Sequence, residues 1–205
     1  MRFILLMGLT LFLTGTMLSA QDRRGVEKAQ GLQPGVMAPL FTAMDADSIE
    51  YSLGDELSKG PVVVIFYRGH WCPHCNKHLQ RVQDSLHLIY ATGASVVAIS
   101  PQKPDYLDLM KQKTGAAFSL LYDEDYTISE AYDVTFTPEA RQLFTYNKIL
   151  MANLKKSQSD DTQRLPVPAT YIIDTNGIIA WRQFDPDYKK RSTIEAILKA
   201  LSHLN

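Results

Sequence analysis

The chain has two cysteines, Cys72 and Cys75, and they stand three positions apart in the stretch Phe66-Tyr67-Arg68-Gly69-His70-Trp71-Cys72-Pro73-His74-Cys75. A thiolate, not a thiol, is the nucleophile, so the position of the pair decides its reactivity. A β-branched and aromatic run, Val62 to Tyr67, leads into it. Leu79, Val82, Leu86 and Ile89 follow at three- and four-residue spacing, which predicts a helix over about 73–91. The pair then falls in the first helical turn, where unpaired N–H groups and the positive dipole end favour a negative sulfur. Cys72 is expected as the outer, ionised, solvent-reachable attacking thiol. Cys75, almost a turn deeper, is expected to resolve the mixed disulfide. Pro73 suits the first helical position because its missing N–H costs nothing there. His74 can add positive charge or a hydrogen bond to Cys72. Tyr67, Arg68 and Trp71 are expected to line the approach, with core packing for Trp71 and solvation for Arg68 as their plainer roles.

Other chemistries fit the pair less well. A structural disulfide closing so small a loop stabilises little. Covalent haem attachment needs His directly after the second Cys, and position 76 is Asn. His70, His74 and His78 recur every four residues around the cysteines, which suits a thiolate/imidazole copper or zinc site. Only His74 and His78 share a helical face, however, so the histidines are expected to be exposed or capping and no metal is assigned. Lys and Arg total 21 against 22 Asp and Glu, a net charge of -1 with no positive field to hold nucleic acid. No phosphate-binding glycine loop or Ser/His/Asp arrangement is present, so no cofactor is expected beyond a Cys72–Cys75 disulfide.

The elements that must position the cysteines follow from the pattern along the chain. Met1-Arg2, the apolar run Phe3 to Leu18 and the small pair Ser19-Ala20 have the order of a secretory signal peptide. Cleavage after Ala20 is expected, leaving no stable membrane span. A permanent anchor is the competing reading, weakened because the run falls short of the roughly 20 residues a span needs. The organisation is therefore a signal peptide at 1–20, a lead-in arm at 21–34 and one domain at 35–205. Strands are predicted at 62–67, 94–99, 118–122 and 169–173, with helices at 105–113, 126–132 and 190–203. The Asn176-Gly177 turn predicts a hairpin returning over 178–184. Between 137 and 165 strand character is absent, and Leu143, Phe144, Leu150 and Leu154 suggest an amphipathic helical insertion. The alternation implies an α/β fold, a mixed sheet covered on both faces.

Trp-Cys-x-x-Cys after a buried strand, with Pro168 opening a later one, resembles the thioredoxin superfamily. Within it, Gly35 to Phe41, Gly60-Pro61, the FYRGHWCPHC stretch, Ser119 to Val134, PVPATYIIDTNG and Asp185 to Tyr188 resemble the peroxiredoxin-like branch of the alkyl hydroperoxide reductase C/thiol-specific antioxidant family. The resemblance implies a thioredoxin-like fold with a short helical insertion before the strand that Pro168 opens. It also implies a cis Val167–Pro168 bond, with Val167 and Pro168 facing the substrate. Typical members carry Pro seven and Thr three residues before the peroxidatic Cys, and an Arg on the later strand. Here those positions are Ile65, Gly69 and Pro168. The missing Thr and Arg polarise the peroxide O–O bond, and Arg68 could replace part of that. The expectation is therefore an extracytoplasmic, periplasmic or extracellular thiol–disulfide oxidoreductase working on protein thiols or disulfides. Its alternative is a thiol peroxidase that reduces hydrogen or alkyl hydroperoxides through a Cys72 sulfenic acid and is recycled by a thioredoxin-like reductant. A copper-binding protein of the same fold is a third reading.

Overall fold

The computed structural model describes residues 24–204. Expected features at 1–20 lie outside them. After a short 3-10 turn at Val26–Lys28 come β1 (Thr42–Met44), β2 (Glu50–Ser52), α1 (Leu53–Leu57), β3 (Val62–Phe66), α2 (Pro73–Asp84) and α3 (Leu86–Tyr90). They are followed by β4 (Ser95–Ser100), α4 (Pro104–Thr114), β5 (Ser119–Tyr122), α5 (Thr127–Ala131), β6 (Thr135–Phe136) and α6 (Ala140–Phe144). A π-helical turn at Thr145–Ile149 leads to α7 (Leu154–Ser157), β7 (Leu165–Pro166), β8 (Ala169–Ile173), β9 (Ile179–Phe184) and α8 (Ile194–Leu201).

The main sheet has five strands in the order β5-β4-β3-β8-β9. β3, β4 and β5 run parallel; on the other side of β3, β8 pairs antiparallel with β3 and β9 antiparallel with β8. The central position of β3 explains its composition, since a strand covered on both faces reads as a continuous apolar run. Alternate residues serve different cores. Val63, Ile65 and Tyr67 pack with Leu79, Val82, Leu107 and Ile197 on one face. Val62, Val64 and Phe66 pack with Leu53, Tyr132 and Tyr171 on the other. The α/β mixed sheet with helices on both faces is as the sequence pattern implies.

Several boundaries differ from the sequence reading, each for a local reason. The helix expected over 73–91 is broken at Ser85 (φ -108°, ψ 10°), whose N–H bonds back to Arg81 and Val82. The kink lets Leu86 and Ile89 remain buried. In the 137–165 stretch, Met151 and Asn153 adopt positive φ and interrupt any continuous helix. Leu154 is consequently buried, while Phe144 stays 62% exposed. The stretch also holds β7, which pairs with β6 through Thr135–Pro166 and Phe136–Leu165. Among the described residues no peptide bond is cis, which corrects the expected cis Val167–Pro168. The extended chain that pairs as β7 runs on through Val167, whose N–H bonds the Val134 carbonyl at 2.7 Å, into β8. No helix among the described residues is long and apolar enough to cross a membrane.

The part of the lead-in arm described here is docked. Ala29 is buried, Gly31 donates to the Asp133 carbonyl, and Arg182 reaches the carbonyls of Gln30, Gly31 and Leu32.

Candidate active site

The route from β3 into α2 is tightly determined. Gly69 has φ +146° and lies so close to the Gln102 side chain and Trp71 Nε1 that a Cβ there would sit 2.6 to 2.7 Å from them. Gln102 Oε1 accepts the His70 N–H at 2.7 Å, and Asn76 Nδ2 donates to the His70 carbonyl at 2.9 Å. Cys72 is the N-cap of α2 and Pro73 its first helical residue. The Cys72 carbonyl accepts both the Cys75 and Asn76 N–H groups at 3.0 Å. The first turn is thus closed, as its Pro and position imply.

Both cysteines are free thiols, and both are buried, Cys72 at 0% and Cys75 at 1% exposure. The expectation of a solvent-reachable Cys72 is corrected by what packs around it. Arg68 is itself buried and donates from Nη2 to Cys72 Sγ at 3.0 Å and from Nη1 to Tyr146 Oη at 3.0 Å. Its guanidinium lies 3.9 Å from the Tyr188 ring centre, 5.1 Å from Tyr146 and 5.2 Å from Trp71, so the cation is enclosed by aromatic rings. Trp71 and Tyr146 also face one another, their ring centres 4.9 Å apart. Arg68 is therefore no solvated surface residue. On the other side, Arg191 Nη2 donates to Cys75 Sγ at 3.6 Å.

Two adjacent thiols and two guanidinium groups in a dry setting divide their protons unequally. Burial opposes ionisation of Cys75. The hydrogen bond from Cys72, the charges of Arg191 and Arg68 and the Arg68 backbone N–H outweigh it, holding the Cys75 thiol well below the usual range. Cys72 is pushed upward by its hydrogen bond to Cys75, by burial and by the negative charge it faces, with Arg68 pulling the other way. The Tyr67 hydroxyl, also buried, is held protonated by desolvation and by the Cys75 charge.

The histidines part company. His74 is exposed, its ring 5.5 Å from that of Tyr188. His70 is held by Gln102, and burial keeps its imidazole below the usual range. His78 is buried rather than exposed, because it points inward from α2 to Ser192 Oγ at 3.0 Å, and Ser192 in turn meets Thr170 Oγ1 at 2.9 Å. Burial, then the charges of Arg191 and Arg81, lower His78 to about 4. Among the described residues no group of three or more His, Cys, Asp or Glu is placed to hold a metal ion.

The structure thus brings Tyr67, Arg68, Trp71, Cys72 and Cys75 together. Val167 joins the same apolar cluster as both sulfurs, and Pro168 is buried at the entry to β8. Pro73 and His74 form the exposed edge of the turn. The sequence reading missed Tyr146, Tyr188, Gln102 and Arg191. Arg191 carries no local signal, since 116 residues separate it from Cys75.

The AhpC/TSA family model matches residues 34–182. The chain is 30% identical over 158 residues to a Mycobacterium tuberculosis chain whose name assigns it to the peroxiredoxins, covering 77% of this chain and 88% of that one. It is 30% identical over 173 residues to the chloroplastic peroxiredoxin Q of Suaeda salsa, covering 83% and 68%. Among solved structures, peroxidoxin BcpB of Mycobacterium tuberculosis superposes with TM-score 0.65 at 20% identity, covering 85% of this chain and 99% of that one. Reduced Prx3 of Vibrio vulnificus, crystallised with hydrogen peroxide, gives TM-score 0.65 at 16% identity, covering 83% and 99%. These relatives overturn the ranking of a protein thiol–disulfide oxidoreductase over a peroxidase.

Proposed function

The chain belongs to the AhpC/TSA family, is a thiol-dependent oxidoreductase of thioredoxin fold, and on that premise we propose that it is a peroxidase reducing hydrogen peroxide or small alkyl hydroperoxides with its Cys72/Cys75 dithiol. The observation that carries this is a pair of free thiols, hydrogen-bonded to one another, between the guanidinium groups of Arg68 and Arg191. Cations fixed in a dry site stabilise both a thiolate and the oxyanion that leaves when an O–O bond breaks. They can supply what the missing Thr and strand Arg supply elsewhere in the family.

In the first step a thiolate attacks one peroxide oxygen. An S–O bond forms, the O–O bond breaks, and the leaving oxyanion takes up a proton to depart as water or alcohol. The sulfur loses two electrons to the peroxide and becomes a sulfenic acid. The second cysteine then attacks that sulfur, expelling water and closing the Cys72–Cys75 disulfide. A thioredoxin-like dithiol returns the two electrons, with no other cofactor. The enclosure of both sulfurs supports a small substrate.

The finer setting rests on sequence alone. Residues 1–20 have the pattern of a cleaved export signal, so the peroxidase would act in the periplasm or outside the cell. The test is direct. Reduced protein lacking residues 1–20 is mixed with one equivalent of hydrogen peroxide, and a thioredoxin-coupled NADPH assay follows turnover. Consumption of one peroxide per dithiol is expected; peroxide left unconsumed with both thiols still free would overturn the reading.

A further inference from the structure

Building on that peroxidase reading, we propose that Cys75, not Cys72, is the sulfur that attacks peroxide, with Arg191 as a catalytic residue and Cys72 as its hydrogen-bond donor and resolving thiol. This reverses the order that the helix position alone suggests.

The argument starts from the donors each sulfur receives. Cys72 sits at the N-cap of α2, yet its side chain accepts no helix N–H, so the helix terminus does not stabilise a thiolate there. Its one donor is Arg68 Nη2. Cys75 Sγ accepts three: the Cys72 thiol, the Arg68 backbone N–H and Arg191 Nη2. Hydrogen bonds to the charged form favour that form, and an anion with three donors is the better held.

The two guanidinium groups differ in what they have left to give. Both Nη atoms of Arg68 are engaged, one with Tyr146 and one with Cys72, and its one unpartnered donor is the Nε on the stem side of the guanidinium. Arg191 holds Cys75 with Nη2, while its Nη1 is buried with no hydrogen-bond partner. A buried cationic donor without a partner is costly unless an acceptor arrives. Peroxide oxygen is such an acceptor. With Nη2 on the attacking sulfur and Nη1 on the departing oxygen, Arg191 bridges the S–O bond that forms and the O–O bond that breaks. The departing hydroxide leaves as water, taking its proton from solvent or from the Cys72 thiol. Cys72 then attacks the Cys75 sulfenic sulfur and water leaves.

Arg191 is held in place by its own neighbour. Ser192 is fixed between His78 of α2 and Thr170 of β8, which ties the segment before α8 to the helix carrying Cys75. The ionisable groups facing the pair are Arg68 and Tyr67 from the end of β3, Tyr146 from the π-helical turn, Arg191 from the segment before α8, and the two thiols themselves.

The experiment follows each sulfur separately. In wild-type protein given substoichiometric hydrogen peroxide with dimedone, peptide mapping should find the adduct on Cys75. Cys72→Ser, which keeps a hydroxyl donor, should still form the sulfenic acid, whereas Cys75→Ser should lose that step by roughly 10²-fold or more. Ultraviolet thiolate absorbance should persist to lower pH in Cys72→Ser than in Cys75→Ser. In the Cys72→Ser background, Arg191→Met should raise the thiolate midpoint and slow trapping about tenfold or more, with partial rescue by Arg191→Lys. Dimedone on Cys72, or a lower thiolate midpoint in Cys75→Ser, would overturn the assignment. So would Arg191→Met leaving the midpoint in place. If wild-type protein ignores peroxide yet Cys75 still titrates first, the peroxidase reading fails while the order of the two thiols stands.

Discussion

Two regions on opposite faces of the sheet divide room and reactivity between them. Beside β1 and α5 lies a cavity of about 410 Å³ lined by Pro39, Phe41, Met44, Tyr122, Thr127 and Tyr132 among others, with Glu50, Asp123 and Glu124 as its charged members. Its lining holds no cysteine and no cation. At the start of α2, by contrast, two thiols and a guanidinium group are packed under aromatic rings with almost no exposed surface. Unit charges interact far more strongly in a dry, low-dielectric setting than in water. On the proposed reading the sulfur site draws its reactivity from that dryness, and a peroxide is small enough to need little space. Concavity and chemistry are separate properties here.

Charge at the sulfur site is the feature whose removal should matter most. Arg68→Met should slow sulfenic acid formation by about tenfold or more, because it removes a buried cation from beside the two sulfurs. Stopped-flow peroxide consumption measures it; a change under threefold would break the contrast. On the cavity side, Asp123 accepts from the Ile128 and Ser129 N–H groups and the Ser129 hydroxyl. Asp123→Ala leaves those donors unsatisfied and should lower unfolding stability by about 2 kcal/mol, with peroxide reactivity of the folded protein unchanged. Chemical denaturation with parallel peroxide assays reads both effects.

His78 connects the sulfur site to pH. Its folded value of about 4 lies below its ordinary 6.5, so between those limits the unfolded chain binds a proton that the folded one refuses. Lowering pH through that window should therefore destabilise the fold, by about 3 kcal/mol in all. Melting temperatures from pH 7.5 to 4 should show this slope in the wild type and a flatter one in His78→Gln. Tyr188→Ala removes one ring from Arg68 and should expose the thiols about tenfold more often, in line with roughly 1–2 kcal/mol for a desolvated cation–π contact. Faster iodoacetamide labelling is the readout. Met44→Ala, in the cavity lining, should leave peroxide rates within about twofold, as expected away from the reacting atoms.

Much of this was legible in the sequence where the cause is local. The unbroken Val62–Phe66 run announced a strand covered on both faces, and Pro73 marked the first turn of α2. The Asn176-Gly177 turn announced the β8–β9 hairpin. The misplacements fall where distant contacts decide. Arg68 looks like a surface residue until Trp71, Tyr146 and Tyr188 are brought over it. His78 has the spacing of an outward helical residue until Ser192 meets it. The family spacing of seven and three residues, counted from Cys75 instead of Cys72, falls on Arg68 and Cys72, both of which make sulfur contacts.

The sequence by itself determined that two thiols would lie one helical turn apart behind a central strand, because periodicity and proline geometry act over a few neighbouring residues. Only the tertiary structure decided how those thiols share a proton. That depends on water being excluded and on Arg191 arriving from 116 residues away, and neither the local dielectric nor a long-range contact is written into any short stretch of chain.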